Sequence, residues 1–449
     1  MSSEWRTYSL AEIALNGKEG FVDGPFGSAL PASLYQSSGI PVIRGSNLSR
    51  GQERFREDEF VYVSAETSSR LVRANCVADD IVFTKKGTLG QVGIVPRGKY
   101  PVYLLSSNQM RLRVNLDVAH PEFVYYYIAQ ESSILKIIRD SEHTGVPKIN
   151  LAYLREFPIV LPSIKVQSEI VLFLRAFDDR ITLLRETNTT LEAIAQALFK
   201  SWFVDFDPVR AKAEGRTPEG MDAATAALFP DSFEESELGL VPKGWAVMQF
   251  LEVCDLQGGA QPPASKFIDE PREGYVRLLQ IRDFSTDSHI TFIPDTGKLK
   301  KVAEDDVLIG RYGSASGDKA KDSLGRVCRG LSGSYNVALM KLCPLLVGRE
   351  FAFQLVSDSS FYQYLQGVSS KAVQSGFSKA ELGQYKVVVP TDEILKVYEG
   401  VGESVWVRVK ANRQQAQTLT QLRDTLLPRL ISGQLRLPEA QEQLEEALV

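Results

Sequence analysis

The sequence predicts an α+β protein with two β-rich mixed domains. Pseudo-twofold symmetry relates them, and a pair of long antiparallel coiled-coil helices separates them. Three observations predict it. The chain repeats its own plan about half a chain later. Each copy opens on short apolar runs bounded by Gly, Pro, Asp and Asn, the pattern of strands. Each copy closes on a long run with apolar residues at heptad spacing.

The repeat is plain in the residues. "EFVYYYIAQESS" from Glu122 returns as "EFAFQLVSDSSF" from Glu350. Asn108 in "SSNQMRL" returns as Asn336 in "GSYNVAL", and Pro162 in "FPIVLPS" returns as Pro390 in "YKVVVPT". "LEAIAQALFKSWF" from Leu191 returns as "LTQLRDTLLPRLI" from Leu419, again 228 residues on. Earlier in each copy the offset drifts. "ADDIVFTKKGTLG" matches "EDDVLIGRYGSAS" at 226 and "WRTYSLAEI" matches "WAVMQFLEV" at 240, as loop insertions would cause. The expected organisation is a first head over residues 1–162, a central helix and connector over 163–243, a second head over 244–390, and a C-terminal helix region over 391–449.

Within the first head, "GIPVIRGSN", "DDIVFTKKG", "QVGIVPRG", "PVYLLSS" and "QMRLRVN" read as strands. "PEFVYYYIAQESSILKIIRD" reads as a helix among them. After Pro162 the heptads begin. Ile170, Phe177, Leu184, Leu191 and Leu198 take the a positions; Leu174, Ile181, Asn188, Ala195 and Trp202 take the d positions. Asn188 is a lone polar intruder of the kind that fixes register. The second seam is weaker: Tyr398, Val405, Val409, Asn412, Ala416, Leu419, Leu426 and Leu430, with Arg423 inside it. It reads as the partner of the first. Between them, "DFDPVRAKAEGRTPEGMDAATAALFPDSFEESELG" has no strand pattern and is acidic. Trp202, Phe203, Phe206, Leu228 and Phe229 are too apolar for a free linker, so an ordered connector is expected.

Bulk composition narrows the class. Hydrophobic residues make up 44% and charged residues 24% of 449, an ordinary globular balance. No stretch approaches 18 apolar residues. "MSSEWRTYSL" lacks the basic-then-apolar pattern of a secretion signal. The four cysteines are scattered and form no CxxC pair, and there are three histidines. A cytoplasmic chain with reduced thiols and no zinc site is expected. Net charge is −5, and residues 161–243 hold 14 acidic against 9 basic residues. The heads are near neutral, so a basic face within either is compatible with the composition.

Two similar but unlike heads at a fixed spacing suit a long polymer with a repeating backbone. Double-stranded DNA fits, because half-site separation becomes part of the code. Candidate contacts are polar loop residues at equivalent places. In the first head these are Ser28, Arg44, Asn47, Lys85, Lys86, Thr88, Asn108, Gln109 and Lys148, with His143 and Thr144. In the second they are Gln280, Arg282, Arg311, Tyr312, Ser314, Tyr335, Asn336 and Lys379, with Gln261, Gln374 and Ser375. Arg and Lys reach guanine, Asn and Gln reach adenine, and all hold phosphates. The same Gly-bounded slot carries Lys85 and Lys86 in one copy and Arg311 in the other. "GPFGSAL", residues 24–30, reads as a tight turn with Phe26 as an aromatic plug; no phosphate-loop pattern follows.

The whole chain resembles the specificity subunit of type I restriction–modification systems. The resemblance is carried by "GPFGSAL", by "GVPKINLAYLREFPIVLPSIKVQSEIV", by "LEAIAQALFKSWFVDFDPVRAKAEG" and "PEGMDAATAALFPDSFEESELGLVPKGW", and by "LPRLISGQLRLPE". It implies that each head reads one half of a split asymmetric DNA site and that the helices set the spacer. It also implies docking of two methyltransferase subunits and two translocating endonuclease subunits. S-adenosylmethionine, ATP and Mg²⁺ would belong to those partners, and this chain would bind no cofactor of its own. The pI of about 5.6 and the degenerate second seam are departures.

Two rival readings remain at this level. An enzyme carrying its own heads would need an [N/D]PP[Y/F] box, and Asp207-Pro208 in "FDPVR" lacks its second proline and aromatic. "PDSFEESE" has carboxylates but no following lysine for a nuclease centre. The other rival is a non-catalytic protein scaffold or adaptor built on the same ruler. Salt-dependent DNA affinity separates it from a DNA reader.

Overall fold

The computed structural model of the chain describes residues 5–51, 53–141, 146–285, 289–313, 323–369 and 376–448. Two compact units emerge: Met1–Leu183 with Gln415–Val449, and Leu184–Gln414.

The first unit holds the first head. One four-stranded sheet runs, in spatial order, Phe21–Asp23, Gln109–Leu112, Ile81–Thr84, Val92–Ile94. A second runs Val61–Val63, Ile40–Ile43, Tyr103–Leu105, Asn75–Cys76. Ile40–Ile43 and Tyr103–Leu105 pair in parallel, and every other ladder of these two sheets is antiparallel. Arg6–Ser9 closes against Pro158–Leu161. Ile81–Thr84 and Gln109–Leu112 are buried along their whole length, which explains why they read as apolar runs rather than as alternation.

In the second unit the head repeats that plan strand for strand. Its sheets run Cys254–Gly258, Leu339–Pro344, Val307–Gly310, Val327–Arg329, and Phe292–Pro294, Tyr275–Leu279, Gly333–Tyr335, Lys301–Val302. The one parallel pair, Tyr275–Leu279 with Gly333–Tyr335, falls in the corresponding place. Ala246–Gln249 closes against Lys386–Val389. Strand order, pairing sense and closing ladder all agree, so the repeat seen in the residues is a repeat of topology.

The expected single helix from Pro121 is two. Pro121–Ala129 and Glu131–Arg139 are separated by Gln130, whose φ of −68° and ψ of 151° are extended. Asp358, 228 residues on, has the same angles and separates Arg349–Ser357 from Ser359–Ser369. There the Asp358 side chain accepts the Ser360 N–H at 2.8 Å. Such a cap restarts a helix after a bend.

Both long helices have 40 residues, Ile164–Phe203 and Asp392–Ile431. In the first unit Ile170, Leu174, Phe177 and Ile181 are buried, and Arg423 donates to Asp178 at 2.6 Å. In the second unit the seam departs from strict heptads: Leu191 and Leu198 are half-buried while Phe199 and Trp406 are buried. Phe199 lies 6.0 Å from Tyr398, and Asn188 meets Asn412 at 2.8 Å. As residue numbers rise on one helix they fall on the other, so the pair is antiparallel there.

The connector is ordered, and it contains strand. Helices Asp207–Ala213 and Ala223–Leu228 lead to a hairpin of Phe233–Ser236 with Gly239–Pro242. Trp202, Phe203, Phe229 and Trp245 are buried in one cluster with Phe351 and Tyr398. Trp202 and Phe229 stack edge-on at 5.1 Å. Ring burial of this kind stabilises by roughly 1.5–3 kcal/mol per side chain, which is why this acidic stretch does not behave as a linker. Among the described residues no helix is long and apolar enough to cross a membrane.

Candidate nucleic-acid interface

Five separated segments of the first head converge on one loop cluster. The Gly24 N–H donates to the Gln109 carbonyl at 2.9 Å, which lays "GPFGSAL" on the strand from Gln109. A Cβ on Gly24 would sit 1.9 Å from the Ser106 carbonyl oxygen, so only glycine fits. The Lys85 N–H donates to the Asn108 carbonyl at 2.7 Å, and Ile149 donates to the Lys85 carbonyl at 3.0 Å. Lys86 bridges Lys148. The Arg44–Asn47 turn joins them, because Gly45 approaches the amides of Gln91 and Gln109.

The second head builds the same cluster from the same five places. Gly259 donates to the Leu339 carbonyl at 3.1 Å, and a Cβ on it would sit 2.2 Å from the Asn336 carbonyl oxygen. Arg311 donates its N–H to Ala338 at 2.8 Å and its Nε to the Phe377 carbonyl at 3.2 Å. Tyr312 bridges Gly376, and Asn336 donates to the Leu279 carbonyl at 3.1 Å.

Within these clusters the candidate residues divide by burial. Ser28, Lys86, Thr88, Asn108, Lys148, Arg282 and Lys379 are exposed. Arg44, Lys85, Gln280, Arg311, Tyr312 and Asn336 are half-buried. Ser314, together with His143, Thr144, Gln374 and Ser375, lies outside the described residues. Lys85 is paired with Asp23 at 3.0 Å, and Lys379 with Asp255. The Lys379 ammonium holds the Asp255 carboxyl below its ordinary value, against the opposing effect of burial. The Arg311 guanidinium lies over the Tyr312 ring at 5.0 Å. Arg282 and Gln280 both donate to the Thr291 hydroxyl, at 2.9 and 3.2 Å. These weak surface pairs present charge without fixing it rigidly.

Three candidates are turned inward. Asn47 is 0% exposed: its Nδ2 donates to the carbonyls of Arg56 at 3.0 Å and Asp58 at 2.9 Å, and its Oδ1 accepts the Arg44 N–H at 2.9 Å. Gln109 is buried against the Ser106 hydroxyl. Tyr335 is buried, with its hydroxyl on the Gln257 carbonyl at 3.2 Å, and burial pushes its ionisation up to about 12. All three hold the loops in place and present no group to a duplex. The amide and phenol chemistry is the same as expected; the direction is opposite.

The error runs the other way at Phe26. It is no plug: its ring is 87% exposed at the tip of its loop. Asp283 was not among the candidates, yet it is the counterpart of Asn47. It accepts the Gln280 N–H at 2.6 Å and the Arg277 guanidinium at 3.3 Å. Aligning "RGSN" from Arg44 with "QIRD" from Gln280 identifies it.

A cavity of about 430 Å³ elsewhere in the first unit is lined by Tyr126, Ile134 and the Asp178–Arg423 pair. Those polar groups already satisfy one another, and the cavity lies away from the loop residues. Among the described residues no three His, Cys, Asp or Glu side chains are grouped to hold a metal ion.

Residues 3–193 match the model of the type I restriction modification DNA specificity domain. The HindI type I restriction enzyme specificity subunit of Haemophilus influenzae is 25% identical over 390 residues, 74% of this chain and 81% of that one. The MjaIX specificity subunit of Methanocaldococcus jannaschii is 23% identical over 375 residues, 80% of this chain and 78% of that one. The crystal structure of the type I restriction-modification S subunit from M. genitalium covers 95% of this chain at a TM-score of 0.51 and 15% identity, with 96% of that chain covered, a likeness of fold. Duplicated heads, long helices and these similarities agree: residues 3–193 are similar to the type I restriction modification DNA specificity domain, and the chain over most of its length is similar to type I specificity subunits.

Proposed function

We propose that this chain reads a split, asymmetric DNA site, one half-site per head, with the two long helices setting the length of the unspecified spacer. The supporting observation is the pair of loop clusters, equal in construction and unlike in side chains. Lys85 corresponds to Arg311, and Asn47 to Asp283. Equal frames with unlike residues suit two different half-sites rather than a palindrome.

In this reading the chain is non-catalytic and works in the cytoplasm. It docks two methyltransferase and two endonuclease subunits, and those partners hold S-adenosylmethionine, ATP and Mg²⁺. Sequence is read by groups such as Lys86, Asn108 and Arg282 at base edges, while Lys148 and Lys379 suit phosphates. The test is the methylome of cells carrying this chain with a cognate methyltransferase. A split motif is expected, and exchanging residues 1–160 for another head changes one half of it. A change in both halves overturns the assignment of one half-site to each head.

A further inference from the structure

The second head is joined to the second long helix through one buried arginine. Arg329 ends the strand Val327–Arg329, and its guanidinium is packed between the rings of Phe353 and Trp406, 4.0 Å from each centroid. The same guanidinium donates to both oxygens of the Glu350 carboxylate, at 2.9 and 2.7 Å. Glu350 and Phe353 belong to the head's own helix Arg349–Ser357, and Trp406 belongs to the long helix Asp392–Ile431. The contacts continue along one face of that long helix. Glu399 accepts the N–H groups of Glu350 and Phe351, at 3.0 and 2.8 Å. Asp305 accepts from Trp406 and Lys410, and Arg413 donates to the Arg329 carbonyl at 3.2 Å.

The first head meets the equivalent carboxylate differently. Ile94 stands where Arg329 stands, pairing with Ile81 as Arg329 pairs with Val307. Glu122 is held instead by Arg54 at 2.6 Å, whose guanidinium lies 5.8 Å from the Tyr126 ring. The head fold therefore does not itself require an arginine at this strand end. One strand connects the joint to the reading loops: Val307 pairs with Arg329, and Gly310 is followed by Arg311. At about 3.3 Å per residue, the path from Val307 to Arg311 is about 13 Å. A tilt of about 15° at the joint would move the reading end by about 3.4 Å, the rise of one base pair.

We infer that Arg329 is a positioning residue: it holds the second head at one tilt on the long helix and so confines the spacer between half-sites to one length, without touching DNA. This rests on the DNA-reading function proposed above and adds what makes the ruler stiff. In that reading, helix length sets where a head is mounted, and the joint sets how accurately its loops are aimed. Arginine suits the task because a planar guanidinium stacks between two rings and grips a carboxylate at once. Lysine keeps the charge and loses the plane.

The test uses the chain assembled with its methyltransferase subunits. Duplexes carry the motif that the wild-type complex methylates, with the spacer at its native length or one base pair shorter or longer. Fluorescence anisotropy gives the affinity for each, and methylomes give the spacers and half-sites used in cells. R329K is expected to lower the preference for the native spacer about tenfold. Motifs with a spacer one pair off should then enter its methylome, with the bases of both half-sites unchanged. F353L removes one ring, keeps the ion pair with Glu350, and is expected to act in the same direction; it carries the test where R329K does not fold. A loss of stability alone lowers affinity for all three duplexes by the same factor, and thermal midpoints report it separately. Unchanged spacer preference in the folded variants, or equal losses on all three duplexes, overturns the inference. So do altered bases in the second half-site, because Arg329 would then shape the reading loops rather than aim them. A wild-type complex with no split motif overturns the underlying function, whereas a split motif with an unmoved spacer removes this inference alone.

Discussion

Asn412 donates its side-chain amide to Asn188 Oδ1 at 2.8 Å, and Asn188 donates in turn to the Val409 carbonyl at 3.2 Å. Both amides are buried between the helices of the second unit. A paired amide in an apolar seam selects one register at some cost in stability. N188L alone strands the Asn412 amide and is expected to cost about 1–3 kcal/mol. The double variant N188L/N412L removes both polar groups and is expected to return close to wild type or above it. Urea denaturation of the four proteins of the cycle measures this. Additive losses in the double variant would mean the amides act separately.

Asp178 and Arg423 make the harsher version of the same bargain in the first unit. Their 2.6 Å ion pair is buried, and the Tyr126 hydroxyl donates to Asp178 at 2.6 Å. Burial and the Asp178 charge both raise the Tyr126 ionisation, so the phenol remains a donor at any working pH. D178A leaves the buried Arg423 guanidinium with only the exposed Asp424 carboxylate, at 2.7 Å, and leaves the Tyr126 hydroxyl without its acceptor, and it is expected to cost about 3 kcal/mol. D178L/R423M removes both charges, and with Y126F added to remove the donor to Asp178 it is expected to be near neutral. The denaturation midpoints of the single and combined variants decide between these outcomes.

The residues carried the duplication clearly, and for a physical reason. Both copies must fill the same core, so the buried pairs Phe123 and Phe351, and Leu161 and Val389, keep their spacing; Asn336 instead takes the place of Ser106, each donating its N–H to the neighbouring strand, at Leu279 and Ile43. Asn188 was legible as a polar intruder in an apolar seam, but its partner was not. An antiparallel pair brings residues 188 and 412 together through tertiary structure, and no local spacing encodes that. Arg423 looked like a defect in the second seam because Asp178 stands on the other helix. The loop clusters were legible, whereas the direction of each side chain was not. Asn47 and Asn108 are the same amide in the sequence; one ties down its own backbone and the other faces out. Phe26 is exposed although apolar residues are usually inside, and no local spacing in the sequence marks it as outward-facing.

Acid is expected to loosen the second head at Asp305. Its carboxylate accepts from the Lys410 ammonium at 2.6 Å and from the Trp406 indole at 2.8 Å. Those bonds hold its ionisation below the ordinary 3.8, Lys410 first and Trp406 second. A lowered folded value means the stabilisation is complete above the unfolded value and is lost as pH falls through the folded one. Asp305 is 41% exposed, so the effect is partly screened by solvent. The gap in urea midpoint between wild type and D305N should therefore narrow between about pH 5 and pH 3. A gap that widens with acid contradicts the assignment.

Gly24 and Gly259 allow each head to be disturbed without touching a charged group. G24A places a methyl 1.9 Å from the Ser106 carbonyl oxygen, and G259A places one 2.2 Å from that of Asn336. Neither carbonyl belongs to a flexible side chain, so the loop must lift. G24A is expected to lower cognate affinity at least tenfold, about 1.4 kcal/mol. Base preference should change in the first half-site only, and G259A should change the second only. Methylomes of the two variants report this directly. Loss in both halves from either glycine would mean that the heads do not read independently.

Lys86 and Asn47 separate contact from scaffold within one head. Asn47 is the buried brace of the Arg44 turn, and its three hydrogen bonds all go to its own chain. N47A leaves the carbonyls of Arg56 and Asp58 without donors and is expected to cost about 1–3 kcal/mol of stability. Its effect on binding should follow from that loss and be recovered at lower temperature. Lys86 is exposed on the same cluster, so K86A is expected to leave the thermal midpoint unchanged. If it holds a phosphate, K86A lowers affinity on cognate and scrambled duplexes alike and reduces the salt slope by about 1. If instead it reads a base edge, only the cognate duplex suffers, and the methylome relaxes at one position of the first half-site. An unaltered salt slope together with an unaltered methylome would remove Lys86 from the interface.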